Sequence, residues 1–274
     1  MMPEFARLGG GTPAVRRLGL ATRGNGRLDP ADVLYAIERG VNYLNWCAHP
    51  DGMSRAIHSL SPAERRGLVI AAQFSERSAA GFLRELDDFL QELGLDYIDA
   101  ATFYYVESEA EWGEIAGPGG ALQAARRAQV EGRIRLLGIT THQRPLAAER
   151  ARQGELDLLM IRYNAAHRGA EGDVFPVTAE RGTSVIAFTA LRWRALLGPT
   201  RLDPPGVAPP QPVDCYRFVL SNPHVSVVLA APGNRAELES DLALLDNWRE
   251  LTGQEHSALC DHGDRVRQTA GRFP

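Results

Sequence analysis

The chain has 274 residues, of which 44% are hydrophobic and 23% are charged, and this predicts a single globular domain over residues 1–274. The net charge is −4, with neither a basic stripe nor an acidic tail, so we expect no nucleic-acid partner. No apolar run of about 18 residues or signal-peptide core is seen, and three cysteines are too few for a disulfide framework. We therefore expect a cytoplasmic protein with no membrane partner.

Lysine is absent, so all 30 positions counted as lysine or arginine are arginine. Arginine stays protonated in proteins and serves neither as a Schiff-base amine nor as a tuned proton donor. This composition excludes lysine-dependent aldolase and pyridoxal-phosphate chemistry as these are usually built.

Predicted strands and helices alternate along the chain. After a short hairpin and a first strand, Asp29 and Pro30 begin a helix that Gly40 ends. A second, strongly amphipathic helix covers residues 78–93. Eight strands with helices between them predict an α/β fold, a (β/α)8 TIM barrel with an N-terminal β-hairpin. The predicted strands are residues 17–22, 41–46, 68–72, 95–105, 134–139, 156–161, 184–188 and 225–229.

The fourth of these strands carries a phrase with a known parallel. The letters LGLDYID, residues 93–99, resemble the opening of the fourth strand of the aldo-keto reductases, which are NADP(H)-dependent carbonyl reductases built on a (β/α)8 barrel. Other phrases resemble family strands in the same order: AIERGVNYLNWC, GRIRLLGIT, LDLLMIRYNAAHR, TAERGTSVIAFTAL and FVLSNPHVSVVLAAPGNRAELESDL. The resemblance spans nearly the whole chain and implies the same barrel.

The catalytic positions that the resemblance implies are all changed. The family uses an Asp, a Tyr, a Lys and a His, and its Lys lowers the pKa of the Tyr that protonates the substrate oxygen. Here Asn45, Gln73 and Tyr104 stand at the Asp, Lys and His positions. The Tyr position falls on Pro50 or Asp51. Because an unassisted tyrosine is a poor acid at neutral pH, we do not expect the standard carbonyl-reduction mechanism.

The positions that would hold the nicotinamide are also altered. The family's Ser-Asn pair and Gln, which bind the nicotinamide amide, map to Thr140, Thr141 and Met160. The ring-stacking Tyr maps to Phe188, which can still stack.

The last predicted helix would face the adenosine end of the cofactor. Backbone N–H groups at Asn234 can bind a phosphate. The position that often carries an Arg for the 2′-phosphate reads Glu237, although Arg235 is near enough to substitute, and Asp241 replaces an adenine-facing Asn. NADP(H) is therefore the cofactor that the resemblance implies, and, if it is bound, we expect it to bind more weakly than is usual for the family.

A second group of candidates follows the second strand. Alternate residues Cys47, His49 and Asp51 offer a thiol, an imidazole and a carboxylate, as in a metal site or a Cys/His pair. The alternative is a small buried Cys beside a solvated His and Asp. C-x-H-x-D is not an established metal spacing, so we favour this alternative and expect no metal.

Further polar residues are expected at the barrel mouth. Tyr104, Tyr105 and Glu107 end the fourth strand, where a phenol beside a carboxylate can bind a substrate or move a proton. The alternative is that Tyr105 packs into the barrel wall while Tyr104 lines the cavity. A further set of arginines can bind an anion, although most arginines are solvated surface groups. These are Arg23, Arg162 and Arg192.

Three functional hypotheses remain open. The first is a diverged enzyme that acts on a small molecule through another acid or base, with His49, Asp51, Tyr104 and Glu107 as candidates. The second is a catalytically silent barrel that binds NADP(H) or another ligand. The third is an NADPH-dependent oxidoreductase in which Tyr104 is the substitute proton donor. We favour the first hypothesis, because a neutral, hydrogen-bonding set of Asn45, Gln73 and Tyr104 is expected in one cavity.

Overall fold

The computed structural model describes residues 2–22, 27–269 and 271. Eight parallel strands form a closed barrel in which each strand pairs with its neighbour in the chain and the last pairs with the first. The predicted (β/α)8 TIM barrel and its N-terminal hairpin are thus confirmed. The hairpin strands are β1 (Phe5–Ala6) and β2 (Val15–Arg16), and the barrel strands are β3 (Leu18–Ala21), β4 (Tyr43–Trp46), β5 (Val69–Phe74), β6 (Ile98–Phe103), β7 (Ile134–Thr141), β8 (Leu158–Arg162), β9 (Ser184–Phe188) and β10 (Val225–Ala230).

Helices alternate with the barrel strands and pack around them. In the part of the chain that the structure describes, none of them is long and apolar enough to span a membrane. The helices are α1 (Pro30–Glu38), α2 (Gly52–Ser59), α3 (Pro62–Arg65), α4 (Ala79–Leu93), α5 (Glu109–Ala116), α6 (Ala121–Val130), α7 (Arg144–Gln153), α8 (Ala170–Asp173), α9 (Phe175–Arg181), α10 (Pro212–Ser221), α11 (Arg235–Asp246) and α12 (Gly253–Thr269).

The sequence sets these elements through alternation and capping. In β5, Val69 and Ala71 belong to the interior cluster of the barrel, whereas Ile70 and Ala72 pack in the layer beneath the helices. Helix α4 begins because the Ser78 hydroxyl accepts a hydrogen bond from the Gly81 N–H. The helix ends at Gly94, which has a left-handed φ of 63°.

The predicted strand boundaries lie within three residues of the observed ones, and β9 has the predicted bounds. The largest difference is in β6, which was expected over residues 95–105. The Tyr104 N–H still donates to the Phe74 carbonyl at 2.8 Å, but Tyr105 turns the chain with a φ of 44°. This turn brings the next residues across the end of the neighbouring strand β7.

The hairpin is attached to the barrel through Arg17. This arginine is 3% exposed, and its guanidinium donates to the carbonyls of Leu220 and Val225 at 3.1 and 2.7 Å. Burial lowers the pKa of Arg17 to about 10. The hairpin therefore lies at the end of the barrel where strands begin, away from the strand ends that form the mouth.

Candidate active site at the barrel mouth

A cavity of about 880 Å³ opens at the carboxyl ends of the barrel strands. Strand-end residues form its floor, and the loop after β9 and the start of α11 form its far wall. The predicted residues that line it include Asn45, Gln73, Tyr104, Thr140, Met160, Phe188 and Asn234. Asn45, Gln73 and Tyr104 therefore share one cavity, as expected for side chains at neighbouring strand ends.

The floor of the cavity is an uncharged hydrogen-bond network centred on Gln73. Its amide nitrogen donates to Asn45 Oδ1 at 2.9 Å and lies 3.1 Å from Met160 Sδ. Its amide oxygen accepts from the Thr140 hydroxyl at 2.8 Å. Asn45 and Gln73 are 2% and 4% exposed. A neutral network of this kind can orient a polar ligand, but it offers no group that gains or loses a proton near neutral pH.

Aromatic rings form one wall. Tyr104 stacks on Tyr105 with ring centroids 4.0 Å apart, and the Tyr105 ring lies 4.7 Å from the His142 ring. The His142 ring in turn lies 5.3 Å from Phe188 in an edge-on arrangement. Tyr104 and Tyr105 both line the cavity, so neither is confined to the barrel wall. These rings give a planar ligand surfaces on which to stack.

The charged residues of the same wall are Glu107 and Arg162. One oxygen of Glu107 accepts from the His142 N–H at 2.9 Å and lies 3.0 Å from His142 Nδ1. Its other oxygen accepts from the Gln143 amide at 3.0 Å. Burial lowers the pKa of Arg162, while the negative charge of Glu107 acts in the opposite direction.

The far end of the cavity is built around the start of α11. Asn234 caps this helix by accepting from the Glu237 N–H at 3.0 Å. The Glu237 carboxylate accepts from the Gly233 N–H at 2.9 Å and pairs with Arg194 at 2.6 Å. One turn further on, Asp241 is 4% exposed, and burial raises its pKa to about 7.

The loop after β9 is strained where it meets the cavity. Thr189, Arg192, Trp193 and Arg194 all have positive φ, between 48° and 70°. Such a conformation is costly for residues other than glycine and persists only when the surroundings hold it. Here the Asn164 amide donates to the Thr189 carbonyl at 2.9 Å, and Arg192 donates to the Val266 carbonyl at 2.8 Å.

Several candidates from the sequence lie outside the cavity. His49 is exposed, and its carbonyl accepts from the Trp46 indole at 2.9 Å. Asp51 caps α2 by accepting from the Ser54 N–H at 2.9 Å. The alternation that would bring both beside Cys47 fails because β4 ends at Trp46 and Ala48 then turns with a φ of 62°. Cys47 lines the cavity, but no metal-binding cluster of His, Cys, Asp or Glu occurs among the described residues.

Two predicted cofactor contacts are also directed elsewhere. The Thr141 hydroxyl accepts from the Gln143 N–H at 3.0 Å and does not line the cavity. Arg235 pairs with Asp32 at 2.9 Å and with Glu239 at 3.1 Å, so it is not placed to replace an arginine at Glu237.

The predicted anion-binding arginines have different fates. Arg162 lines the cavity, whereas Arg192 is 2% exposed and fixes the loop after β9. Arg23 lies outside the described residues.

Sequence reasoning missed several residues of the cavity. These are His142, Gln143, Trp193 and Arg194. His142 directly follows the last residue of β7, and that position at the carboxyl end of a barrel strand is the signal that would have indicated it.

The barrel has the fold of the aldo-keto reductases, and the resemblance seen in the sequence is confirmed at the level of fold. The chain superimposes on the holo form of aldo-keto reductase AKR11C1 from Bacillus halodurans with a TM-score of 0.77 and 18% identity, covering 94% of this chain and 96% of that one. The apo form of the same protein gives a TM-score of 0.75, with 18% identity and coverage of 94% and 95%.

A match in sequence points the same way. An NADH-specific methylglyoxal reductase from Escherichia coli (strain K12) is 27% identical over 130 residues, which is 47% of this chain and 39% of that relative. No family model matches the chain. The chain thus has an aldo-keto-reductase-like fold and oxidoreductase relatives.

Proposed function

We propose that this protein is an oxidoreductase that reduces a small carbonyl compound with a nicotinamide dinucleotide and without the tyrosine–lysine acid of the aldo-keto reductases. The observation that carries the proposal is one cavity of about 880 Å³ that joins the polar strand ends to the start of α11. A dinucleotide needs this reach, because its nicotinamide and adenosine ends bind far apart. The reductase relatives support the same reaction class.

The lining residues fit part of such a cofactor. Phe188 would stack on the nicotinamide ring, and Thr140 is the hydroxyl nearest to the place of its amide. Backbone N–H groups around Asn234 and Ala236, at the start of α11, would bind a phosphate. Met160 cannot replace the two-sided hydrogen bonding of a glutamine amide, so the nicotinamide would be held by fewer polar contacts.

The adenosine end favours a dinucleotide that lacks the 2′-phosphate. Glu237 carries a negative charge at the position where the resemblance implies an arginine, and Arg235 is paired with Asp32 and Glu239. A phosphate beside the Glu237 carboxylate would meet like-charge repulsion. We therefore propose NADH as the preferred cofactor, with NADPH bound more weakly. The relative named as NADH-specific supports this preference.

When bound, the cofactor supplies the hydride. The residues of the chain bind and orient the carbonyl compound: the Asn45–Gln73–Thr140 network provides neutral hydrogen bonds, and the Tyr104–Tyr105 stack excludes water from one side. Methylglyoxal, which the name of the Escherichia coli relative gives as its substrate, is the first compound to test.

Titration of the purified protein with NADH and with NADPH tests the proposal. Trp193 is 53% exposed and lines the cavity, so its fluorescence reports on binding, and Trp193→Phe is the control for the signal. We expect NADH to bind about 10-fold more tightly than NADPH, a difference of about 1.4 kcal/mol. Loss of reduced-nicotinamide absorbance with methylglyoxal then measures turnover. Failure of both dinucleotides to bind would refute the proposal.

A catalytically silent barrel is the second candidate. It is favoured by the hydrogen bonds of Gln73, whose amide nitrogen and oxygen both already bond to neighbouring side chains. A protein that binds a dinucleotide tightly but turns over no small aldehyde, ketone or quinone would support this alternative. Turnover that is abolished by Tyr104→Phe would instead support Tyr104 as the proton donor.

A further inference from the structure

A carboxylate and an imidazole form a close pair on the wall of the mouth cavity. Glu107 Oε1 lies 3.0 Å from His142 Nδ1, and both residues line the cavity. Their side chains are 31% and 19% exposed, so the pair is partly buried but open to a ligand. Nothing in the tyrosine–lysine chemistry of the aldo-keto reductases uses a pair at these two positions.

The surrounding backbone holds this pair in place. The Val106 N–H donates to the Thr140 carbonyl at 2.9 Å, which fixes the loop after β6 onto the end of β7. The His142 N–H donates to the same Glu107 oxygen that faces its ring, at 2.9 Å. The Glu107 N–H donates to Glu111 Oε2 at 2.7 Å. Two loops that are far apart in the chain are thus joined through Glu107.

The pair also orients the imidazole. With Nδ1 directed at the Glu107 carboxylate, Nε2 is the nitrogen that can exchange a proton with a ligand. A carboxylate in this position holds the ring in one orientation. The stacked Tyr105 ring and the edge-on Phe188 ring limit its rotation further.

We propose that His142 is the catalytic acid of this cavity and that Glu107 is its positioning residue. The proposal rests on the proposed function, because it supplies the proton that carbonyl reduction needs. The neutral floor of the cavity has no group suited to this step, whereas a histidine exchanges a proton near neutral pH.

In the proposed step, His142 donates a proton to the substrate oxygen. The Nε2–H bond of the His142 imidazolium breaks and an O–H bond forms on the substrate oxygen. The carbonyl carbon gains a hydride, with two electrons, from the reduced nicotinamide, so the carbonyl compound is reduced to an alcohol and the dinucleotide is oxidised. Neutral His142 then recovers a proton from water, and in the reverse direction it accepts the proton of the alcohol.

The groups of the cavity wall around His142 come from three elements. Glu107 and Tyr105 lie on the loop after β6, Arg162 on β8 and Phe188 on β9.

The test compares His142→Asn and Glu107→Gln with His224→Asn, an exposed histidine outside the cavity. In His142→Asn we expect kcat for NADH-dependent reduction of methylglyoxal to fall about 100-fold at neutral pH, with KM changed only a few-fold. His224→Asn should keep the wild-type rate. Circular dichroism verifies that each variant is folded.

A second readout needs no turnover. In the protein without cofactor, nitrogen NMR of the imidazole reports on Nδ1 and Nε2 separately, and Glu107→Gln should change the Nδ1 signal of His142 more than the Nε2 signal. The same variant should lower kcat less than His142→Asn does. An Nδ1 signal that does not change would overturn the role of Glu107.

The failure of this proposal is distinct from that of the proposed function. A wild-type protein that binds no dinucleotide overturns both. A wild type that binds NADH and reduces methylglyoxal, together with a His142→Asn variant of equal rate, overturns only the role of His142.

Discussion

The two ends of the barrel differ in the charge of their buried polar groups. Where the strands begin, Asp99 is fully buried and pairs with Arg65 at 2.6 Å and with Arg135 at 3.0 Å. The Ile70 N–H also donates to it, at 2.8 Å, and the Tyr97 ring lies between the two guanidinium groups. At the mouth, the buried polar groups of the cavity floor are the neutral Asn45, Gln73 and Thr140.

The buried charges at the closed end serve the stability of the fold, whereas the charges at the mouth are placed to serve function. At the closed end, each oxygen of the buried Asp99 carboxylate has an arginine partner. Charge at the mouth lies on partly exposed pairs such as Glu107–His142 and Glu237–Arg194, or on a carboxyl group that is neutral part of the time, Asp241. Only this second arrangement can respond to pH or to a ligand.

The largest effect is expected at the closed end. Asp99→Asn keeps the shape of the side chain but leaves Arg65 and Arg135 without a counter-charge, and we expect a loss of about 3–5 kcal/mol in the free energy of unfolding. Urea denaturation at neutral pH measures it. The control is Asp96→Asn, an exposed neighbour that should change stability by less than about 0.5 kcal/mol. Equal stabilities of the two variants would contradict the comparison.

At the mouth, the corresponding substitution of Asp241 by Asn should raise the stability of the protein instead of lowering it. Burial raises the pKa of Asp241 from 3.8 to about 7, and the hydroxyl of Tyr216 opposes this only in part. Between these two values the folded state binds more protons than the unfolded state, so stability falls as the pH rises through this window. The cost of ionising Asp241 is then complete above a pH of about 7.

Asp241→Asn removes this cost because an amide has no proton to lose. We expect the variant to be more stable than the wild type by about 4 kcal/mol at a pH of about 8 and nearly equal to it at a pH of about 4. Thermal unfolding at the two pH values measures the difference, with the exposed Asp261→Asn as the control. A constant difference across this range would show that Asp241 does not titrate there.

Much of this arrangement was accessible from the sequence. Periodic apolar residues and glycine stops gave the barrel, because burial of one helix face and of alternate strand residues repeats along the chain. The contact between Asn45 and Gln73 followed from that, since the ends of neighbouring parallel strands lie side by side.

The Glu107–His142 pair could not be predicted from the sequence, because it joins two loops 35 residues apart whose paths no periodicity describes. His49 and Asp51 were misplaced for a related reason: alternation was extended beyond the point where β4 ends.

The smallest effect tests whether charge at the mouth selects a ligand. Glu237→Gln removes the negative charge at the adenosine end but keeps an oxygen for the Gly233 N–H. Because the Glu237–Arg194 pair is partly exposed, stability should change by less than about 1 kcal/mol. NADPH binding should nevertheless tighten about 5- to 10-fold while NADH binding stays the same, since only the 2′-phosphate meets the carboxylate. Titration of Trp193 fluorescence measures both affinities.

The matched control is Glu239→Gln, which removes the same charge two residues further along α11, outside the cavity lining, and should change neither affinity. Equal tightening for both dinucleotides, or the same effect in the control, would show that Glu237 acts only through the net charge of the protein. Charge at the mouth would then not select the ligand, and the two ends of the barrel would not differ in function in this way.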